Sequence, residues 1–253
     1  MADRGPTDRV VERLAAAGCV APEEEARELR VGAPDDGTLE EWLHRRERGE
    51  PLAWIVGATT FCGRRIHVDP GVYVPRPQSE ELARRAAALL PDGRRAVDLC
   101  TGCGAIAVTM SEAHPSATVI GVDVDPLAVA NARRNGVEAV RADLGGALRP
   151  NAFDVVTCVA PYVPTGDLRL LPSDVLRFEP SLALDGGGDG LDVLRRVLVS
   201  AARLLRPGGW LLVEVGASQD DRLSSALGDS GLRNVETWTD EAGDLRGLAA
   251  RLR

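Results

Sequence analysis

Short apolar runs alternate with amphipathic stretches along the chain from Arg95 onward. Seven runs of six to eight residues predict strands, and they read RAVDLC, TVIGVD, EAVRAD, FDVVTCV, WLLVEV, NVETWT and LRGLAARL. Helical periodicity separates the first five, and this alternation is typical of a parallel sheet covered on both faces. The last two, joined by DEAGD, predict an antiparallel hairpin. We therefore expect an α/β fold with a seven-stranded, mainly parallel sheet in residues 95–253, with one strand antiparallel.

The pattern before Arg95 is helical at first and then changes. DRVVERLAAAG and TLEEWLHRRERG predict two helices, the second opening with Thr38 and Glu41 at capping-box spacing, and GAPDDG predicts a loop between them. Farther on, TTF, CGR and RIHVDPG predict a β-hairpin, and a helix is expected at residues 79–90. The chain divides accordingly into a small N-terminal helical domain (1–50), a β-hairpin linker (51–78) and an α/β domain (79–253).

The composition indicates a globular chain without a membrane span. Hydrophobic residues make up 44% of the 253 residues, and no apolar run approaches the length that crosses a bilayer. The opening residues, MADRGPTDRV, lack an apolar core, so no signal peptide is expected. A net charge of −8 argues against a broad phosphate-binding surface, and we expect no direct binding of nucleic acid. Five cysteines at scattered spacing favour a reduced, cytoplasmic location.

Cysteine and histidine offer little candidate chemistry. Cys100 and Cys103 form a C-x-x-C pair, but the sequence contains no second pair, so we expect neither a redox centre nor a metal site. His44 and His67 are interpreted as surface or linker residues. His114 follows a predicted helix and is a candidate C-terminal cap.

Glycine and aspartate residues follow the carboxyl ends of the predicted strands. Ligands bind beyond these strand ends in sheets of this kind. The first strand leads into a glycine-rich loop, in which Gly102 and Gly104 permit tight turns and close approach of a ligand at a helix N-terminus. Asp123 ends the second strand about twenty residues later, a position typical of an acceptor for ribose hydroxyls, whereas Asp125 precedes a proline and predicts an N-cap. Asp143 ends the third strand and could accept from a purine amine.

The fourth strand ends unusually, because FDVVTC runs into Val159, Ala160, Pro161 and Tyr162. On these residues taken together, the chain resembles class I S-adenosylmethionine (SAM)-dependent methyltransferases, which have a Rossmann-like fold. More narrowly it resembles the HemK-type protein glutamine-N5 methyltransferases. The resemblance covers nearly the whole chain, and the segments that carry it are GEPLAWIVGATTFCGRRIHVDPGVYVPRPQSE, FEPSLALDGGGDGLDVLRR and RPGGWLLVEVG.

The resemblance implies that SAM is the cofactor and assigns residues around it. Its methionine part would be lined by Asp98, Thr101, Gly102 and Gly104. Asp123 would hold the ribose, and Asp143 would approach the adenine. The family uses its small N-terminal domain to bind a protein substrate. The resemblance implies that this substrate is a release factor, whose glutamine amide would receive the methyl group.

Three positions depart from the family pattern. Cys100 replaces the first loop glycine, which calls for a negative φ or a slight change of the loop, and Pro-Arg-Pro-Glu-Thr-Glu becomes PRPQSE. The Asn-Pro-Pro-Tyr signature becomes Val-Ala-Pro-Tyr, so Val159 cannot accept an amide N–H as the family's Asn would, although the Ala160 carbonyl remains. Pro161 would hold the backbone out of the strand ladder and Tyr162 would wall the acceptor pocket.

Other assignments on the acceptor side stay open. Glu179 could be a base, an orienting group or only a salt-bridge partner of Arg177. Arg76 could bind a carboxylate or brace the linker. Val159 could simply pack the end of the strand.

Three interpretations of function follow. The first is a HemK-type methyltransferase acting on a protein glutamine. The second is a relative that keeps the SAM site and methylates a small molecule, because an amine or another better nucleophile would not need two acceptors. The third is a catalytically silent SAM-binding module, against which the largely intact loop and Asp123 argue. We expect the wild-type chain to methylate a release factor slowly or not at all.

Overall fold

The computed structural model describes residues 8–216 and 219–253, and the sequence predictions about the first seven residues fall outside these ranges. The helices are α1 Arg9–Ala16, α2 Pro22–Gly32, α3 Asp36–Glu47, α4 Leu52–Val56, α5 Glu80–Leu89, α6 Ala105–Ala113, α7 Pro126–Arg134, α8 Ser173–Phe178, α9 Asp192–Leu204 and α10 Gln219–Asp229. The strands are β1 Ala58–Phe61, β2 Arg64–His67, β3 Arg95–Leu99, β4 Thr118–Asp123, β5 Glu138–Arg141, β6 Phe153–Cys158, β7 Leu205–Glu214, β8 Leu232–Thr239 and β9 Leu245–Leu252.

The first three helices form a small unit with its own apolar core. Leu14, Leu29 and Leu43 are almost fully buried there, and Ile55 of α4 packs into the same cluster. The capping box predicted at Thr38 is wrong. Asp35 is the N-cap of α3 and its side chain accepts from the Thr38 backbone N–H. The helix therefore begins three residues earlier than a cap at Thr38 implies, inside the segment expected to be a loop.

The predicted hairpin is confirmed as the antiparallel pair β1–β2. Cys62 and Gly63 make its two-residue turn, both with positive φ, as tight hairpin turns require. The side chain of Asn131 in α7 makes two hydrogen bonds to the linker backbone. It accepts from the Asp69 backbone N–H and donates to the His67 carbonyl. The linker is thereby fixed to the larger domain.

Seven strands form the main sheet in the order β5-β4-β3-β6-β7-β9-β8, with β9 antiparallel to both neighbours. The remaining pairings are parallel, which confirms the predicted fold class. The chain moves outward from β3 in one direction to β4 and β5, and then restarts on the other side at β6. A crevice opens at such a reversal of strand order, at the carboxyl ends of the strands.

Apolar clusters cover both faces of the sheet. Helices α5, α6 and α7 pack on one face together with the linker, and α9 and α10 pack on the other. His114 caps α6, as expected from the sequence, and its ring nitrogens lie 2.9 Å from Asp92 Oδ1 and from the Ala87 carbonyl oxygen. Within the described ranges, no helix has the length and apolar character needed to cross a bilayer.

Candidate active site

A cavity of about 350 Å³ opens at the carboxyl ends of β3, β4, β5 and β6. Its wall brings together residues that lie in separate segments of the sequence and were predicted there as site residues: Gly102, Asp123, Asp143, Val159, Ala160, Pro161 and Tyr162. Asp98, Thr101, Gly104 and Glu179 lie behind this wall. The predicted site residues therefore divide into a group that lines the cavity and a group that supports it.

Asp98 supports the glycine-rich loop from beneath. Its side chain is buried at the end of β3, where one carboxylate oxygen accepts from the Thr157 hydroxyl at 2.8 Å and the other from the Thr101 hydroxyl at 2.7 Å. Burial raises the pKa of Asp98 from 3.8 to about 7, although both hydroxyl hydrogen bonds oppose the shift. Direct contact of Asp98 or Thr101 with the methionine part of SAM stays a prediction.

The two loop glycines serve different purposes. A side chain at Gly102 would stand in open space beside the cavity, whereas a Cβ at Gly104 would lie 2.9 Å from Val137 and 3.2 Å from Ala132. Gly104 is therefore required for packing of α6 against its neighbours. Its φ of +85° agrees with the tight turn expected from the sequence, and its approach to a ligand stays a prediction. For Cys100 the sequence left two alternatives, a negative φ or a slight change of the loop. The negative φ is wrong, because the φ of Cys100 is +54°. The loop keeps the backbone geometry of a glycine there, with a strained cysteine.

Asp123 joins two loops at the end of β4. Its oxygens accept from the backbone N–H of Gly102 at 2.9 Å and of Asp125 at 3.0 Å. Asp125 is the N-cap of α7, as predicted, and accepts from the Leu127 N–H at 2.8 Å. Burial raises the pKa of the Asp123 carboxyl, with both backbone hydrogen bonds opposing the shift. The carboxylate is held in the cavity wall with lone pairs left for a ligand.

Asp143 lies farther out than Asp123. Its side chain is mostly exposed and pairs with Arg196 of α9 at 2.5 Å. Both residues line the cavity, together with Leu144. The proposed approach of Asp143 to an adenine amine would therefore compete with this ion pair.

The segment after β6 leaves the ladder at Val159, as the proline had suggested, since the strand ends at Cys158. Val159 is half-buried against the apolar cluster on the α5 side, and Ala160 is buried. The glycine-rich stretch of residues 186–190 packs against this segment. A Cβ at Gly186 would lie 2.8 Å from the Pro161 carbonyl oxygen, so only glycine permits this approach.

The carboxylate beside Tyr162 is that of Glu214, which was not predicted as a site residue from the sequence. Glu214, the last residue of β7, is 5% exposed and accepts from the Ser79 hydroxyl at 2.5 Å. Its carboxylate also hydrogen-bonds to Tyr162, and burial raises the pKa of both groups. The available signal was a charged residue at the end of an apolar strand, at the edge of the sheet where the site lies.

Glu179 pairs with Arg76, not with Arg177 as one alternative had it. Arg177 instead lies over the Phe178 ring, 5.3 Å from its centroid. Arg76 also donates to the Tyr73 hydroxyl at 3.2 Å and lies over that ring. The pair thus braces the linker against the segment that follows α8. Burial raises the pKa of the Glu179 carboxyl, while Arg76 and the backbone N–H of Val74 oppose the shift.

The C-x-x-C pair is divided by the fold. Cys103 is 2% exposed and burial raises its pKa to about 12, which makes it an unreactive thiol. Cys100 lines the cavity. In the described part of the chain, no group of three or more His, Cys, Asp or Glu side chains converges on a metal position.

Known proteins share this sequence and geometry. Residues 96–177 match a family described as "Methyltransferase domain". The release factor glutamine methyltransferase of Geobacter sulfurreducens is 36% identical over 214 residues, which cover 82% of this chain and 75% of that protein. The chain therefore belongs to the release factor glutamine methyltransferase family. It is accordingly an S-adenosylmethionine-dependent methyltransferase, and the family, enzyme class and cofactor inferred from the sequence are confirmed.

Two further similarities extend the comparison. A 4-amino-L-phenylalanine/4-methylamino-L-phenylalanine methyltransferase from Streptomyces pristinaespiralis is 40% identical, over 70% of this chain and 65% of its own length. The catalytic domain of hMettl16, solved in complex with an RNA hairpin, superposes with a TM-score of 0.58 at 16% identity, covering 85% of this chain and 81% of that one. At that identity the superposition shows the fold alone.

Proposed function

We propose that this member of the release factor glutamine methyltransferase family methylates an acceptor nitrogen at the Val159–Tyr162 segment. The first candidate is the side-chain amide of a glutamine in a peptide chain release factor. The observation that carries the proposal is that this segment and the Gly102–Asp123 pair line one cavity. Two relatives, each matched by this chain over about three quarters of its own length, are named release factor glutamine methyltransferases. These names support the choice of acceptor.

The residues present fit SAM. Space above Gly102 leaves its backbone accessible, and the Asp123 carboxylate keeps lone pairs for ribose hydroxyls. Asp143 at the outer wall would approach the adenine, and Asp98 and Thr101 would shape the floor under the methionine part. When bound, SAM supplies an electrophilic methyl group on a sulfonium sulfur that is a good leaving group.

The main task of residues Val159–Tyr162, here called the acceptor segment, is to position the acceptor nitrogen. Removing a proton from that nitrogen is less demanding. An amide nitrogen is a poor nucleophile because its lone pair is delocalised into the carbonyl, so hydrogen bonds that fix both N–H groups favour reaction. The Ala160 carbonyl is one such acceptor. Pro161 lacks an N–H and keeps the backbone out of the strand ladder, and Tyr162 walls the pocket with its hydroxyl held by Glu214. Alignment of this kind contributes several kcal/mol to many reactions.

A second candidate acceptor is an aromatic amine of a small molecule. Val159 favours it, since a side chain without an acceptor penalises an amide more than an amine. The relative from Streptomyces pristinaespiralis, whose name specifies an amino-phenylalanine acceptor, supports the same direction. Because the match covers only 65% of that relative, the similarity alone does not favour this candidate over the first.

Transfer of a labelled methyl group from SAM tests the two candidates side by side. The acceptors are a purified bacterial release factor and 4-amino-L-phenylalanine, each at single turnover. Label on the release factor, placed on a glutamine by mass spectrometry, supports the first candidate. Label on the amino acid alone supports the second. SAM binding measured by calorimetry with no transfer to either acceptor would overturn both and leave only the cofactor assignment.

A further inference from the structure

Two cysteines from separate segments meet at the edge of the cofactor cavity. Cys100 follows β3 and lines the cavity wall, and Cys158 is the last residue of β6 and is fully buried. Leu99 and Cys158 are register partners in the parallel pair β3–β6, so the next residue, Cys100, lies diagonally across from Cys158. The Cys158 thiol hydrogen-bonds with the Cys100 side chain. Both cysteines are free thiols in this structure.

The positions of the two residues suit a disulfide. Neighbouring strands lie about 4.8 Å apart and successive residues of a strand about 3.3 Å apart, so diagonal neighbours fall within the roughly 4.4–6.8 Å that a disulfide spans between Cα atoms. Both side chains also pack into the same apolar cluster, on the α9 side of the sheet. A short separation and a shared face are the two conditions that a disulfide requires.

The other three cysteines do not share this arrangement. Cys103, the second cysteine of the C-x-x-C pair, packs into the cluster on the opposite face of the sheet. Cys62 packs against that same cluster from the hairpin turn, and Cys19 packs in the N-terminal helical unit. The fold therefore brings Cys100 to a distant residue of β6 and separates it from its neighbour in sequence.

The backbone at Cys100 is in a conformation that a cysteine disfavours. Its φ of +54° lies in the left-handed region, which glycine adopts freely because it lacks a β-carbon. Strained residues of this kind are concentrated at active sites and in switch regions. The backbone gains nothing from a cysteine at this position, whereas the side chain brings a thiol to Cys158 at the cavity wall.

We propose that hydrogen peroxide, entering through the cavity, converts Cys100 and Cys158 into a reversible disulfide that weakens SAM binding. The Cys100 sulfur attacks one peroxide oxygen and breaks the O–O bond, which leaves a sulfenic acid (S–OH) on Cys100 and releases one water. The Cys158 sulfur then displaces the hydroxyl group, which leaves with the Cys158 proton as a second water. The two thiols together lose two electrons and two protons, and the peroxide is reduced to two waters.

Accessibility sets the order of the two steps. Cys100 is half-buried in the cavity wall, where a small oxidant reaches it. Burial raises the pKa of the Cys158 thiol, and the contact with Cys100 adds to the shift. A buried thiol that keeps its proton is a poor first nucleophile. Cys158 is therefore the second residue to react, and it resolves the sulfenic acid.

The disulfide acts on the loop that we expect to contact SAM. A disulfide is much shorter than a contact between two thiols, so one of the two segments has to move. Because β6 is paired on both sides, with β3 and β7, the loop after β3 moves more easily. That loop contains Gly102, whose backbone N–H donates to Asp123 at 2.9 Å. We expect the SAM affinity to fall at least about tenfold, the effect of losing one hydrogen bond to a charged group.

Peroxide treatment of the wild type tests both parts of the proposal. We expect a non-reducing digest to contain a peptide in which Cys100 is linked to Cys158, and the SAM affinity, measured by calorimetry after removal of the peroxide, to fall at least about tenfold. Dithiothreitol should restore the affinity, since it returns two electrons and two protons to the pair. A protein without this cross-link, or a cross-linked protein that binds SAM as tightly as the reduced protein, overturns the proposal.

Three variants identify the thiols, each compared with itself before and after peroxide. Cys100→Gly, which supplies the residue that the backbone favours, should form no cross-link and keep its SAM affinity. Cys158→Ala should form no cross-link and accumulate the sulfenic acid on Cys100, detected with dimedone. Cys103→Ala is the matched control, since Cys103 belongs to the same loop but packs on the opposite face, and it should respond as the wild type does. Loss of affinity in Cys100→Gly, or no response in Cys103→Ala, would place the oxidation at other residues and overturn the assignment.

Discussion

At the scale of single residues, the proposed function makes Val159 the position that sets how the acceptor is held. A buried amide N–H that loses one partner costs about 1–3 kcal/mol. Val159 lies in the cavity wall at the point where the family's signature has an asparagine, and it is half-buried against apolar neighbours. We therefore expect the valine to affect the binding of a substrate nitrogen more than the stability of the fold.

Restoring the acceptor should raise activity on the family substrate. We expect the wild type to methylate a release factor slowly and Val159→Asn to raise the single-turnover rate about tenfold, because the asparagine restores one hydrogen-bond acceptor for the amide N–H. Val159→Leu, which matches asparagine in shape without an acceptor, is the control and should give no gain. Brisk wild-type transfer that Val159→Asn leaves unchanged would show that the valine does not set specificity.

Asp123 is the residue on which we expect cofactor binding to depend most. Asp123→Ala should weaken SAM binding at least about tenfold, because hydrogen bonds to a charged acceptor contribute about 1.5–3 kcal/mol each. Calorimetric titration measures this directly. Asp154→Asn is the control, since Asp154 also accepts a backbone N–H, from Arg95 at 3.0 Å, but sits at the opposite end of β6. Equal binding by wild type and Asp123→Ala would remove Asp123 from the cofactor site.

At the scale of elements, the acceptor segment depends on the glycine-rich stretch that follows it. A Cβ at Gly186 would lie 2.7 Å from the Gly190 carbonyl oxygen and 2.8 Å from that of Pro161, and backbone atoms give way less easily than side chains. The segment after β6 thus owes its position to a close backbone contact as well as to its own proline.

Gly186→Ala should therefore displace the acceptor segment. We expect methyl transfer to fall at least about tenfold, since small displacements of reacting groups are costly, while SAM binding at the other side of the cavity is kept. Gly188→Ala is a close control, because a side chain there meets nothing within 4 Å. If both variants transfer equally, the packing against Pro161 does not position the acceptor.

At the scale of the whole molecule, the buried carboxylate of Asp98 makes stability depend on pH. Its pKa is about 7 in the folded chain, against 3.8 for an ordinary exposed aspartate. A raised pKa means that the folded state binds the proton more tightly, so this contribution to stability is complete below the unfolded pKa. It is lost as the pH rises through the folded pKa.

Asp98→Asn should flatten this dependence. We expect the wild type to lose unfolding free energy relative to Asp98→Asn between about pH 4 and pH 7, by at most about 1.4 kcal/mol per pH unit from this one group. Urea unfolding of both proteins at several pH values in that window measures the difference. Parallel curves would mean that Asp98 does not titrate in this range in the folded protein.

Much of the architecture could be predicted from local sequence. Strand and helix order follow from hydrophobic periodicity, because a buried strand and an amphipathic helix impose different spacings on apolar residues. The N-cap at Asp125 and the end of β6 before Pro161 are equally local, since they depend on one side chain or one missing N–H. The positions of Asp123 and Gly102 at one edge follow from parallel strands sharing their carboxyl ends.

The supports of the site were decided only by tertiary structure. Glu179 and Arg76 are 103 positions apart, and Ser79 and Glu214 are 135 apart, so no local pattern could pair them. The positive φ of Cys100 belongs here as well, because the surrounding strand ends impose a backbone conformation that the residue itself disfavours. The sequence alone determined the fold and the cofactor loop. Which side chains brace the segment after β6, and which hydrogen bonds hold them, depends on how distant segments are packed together.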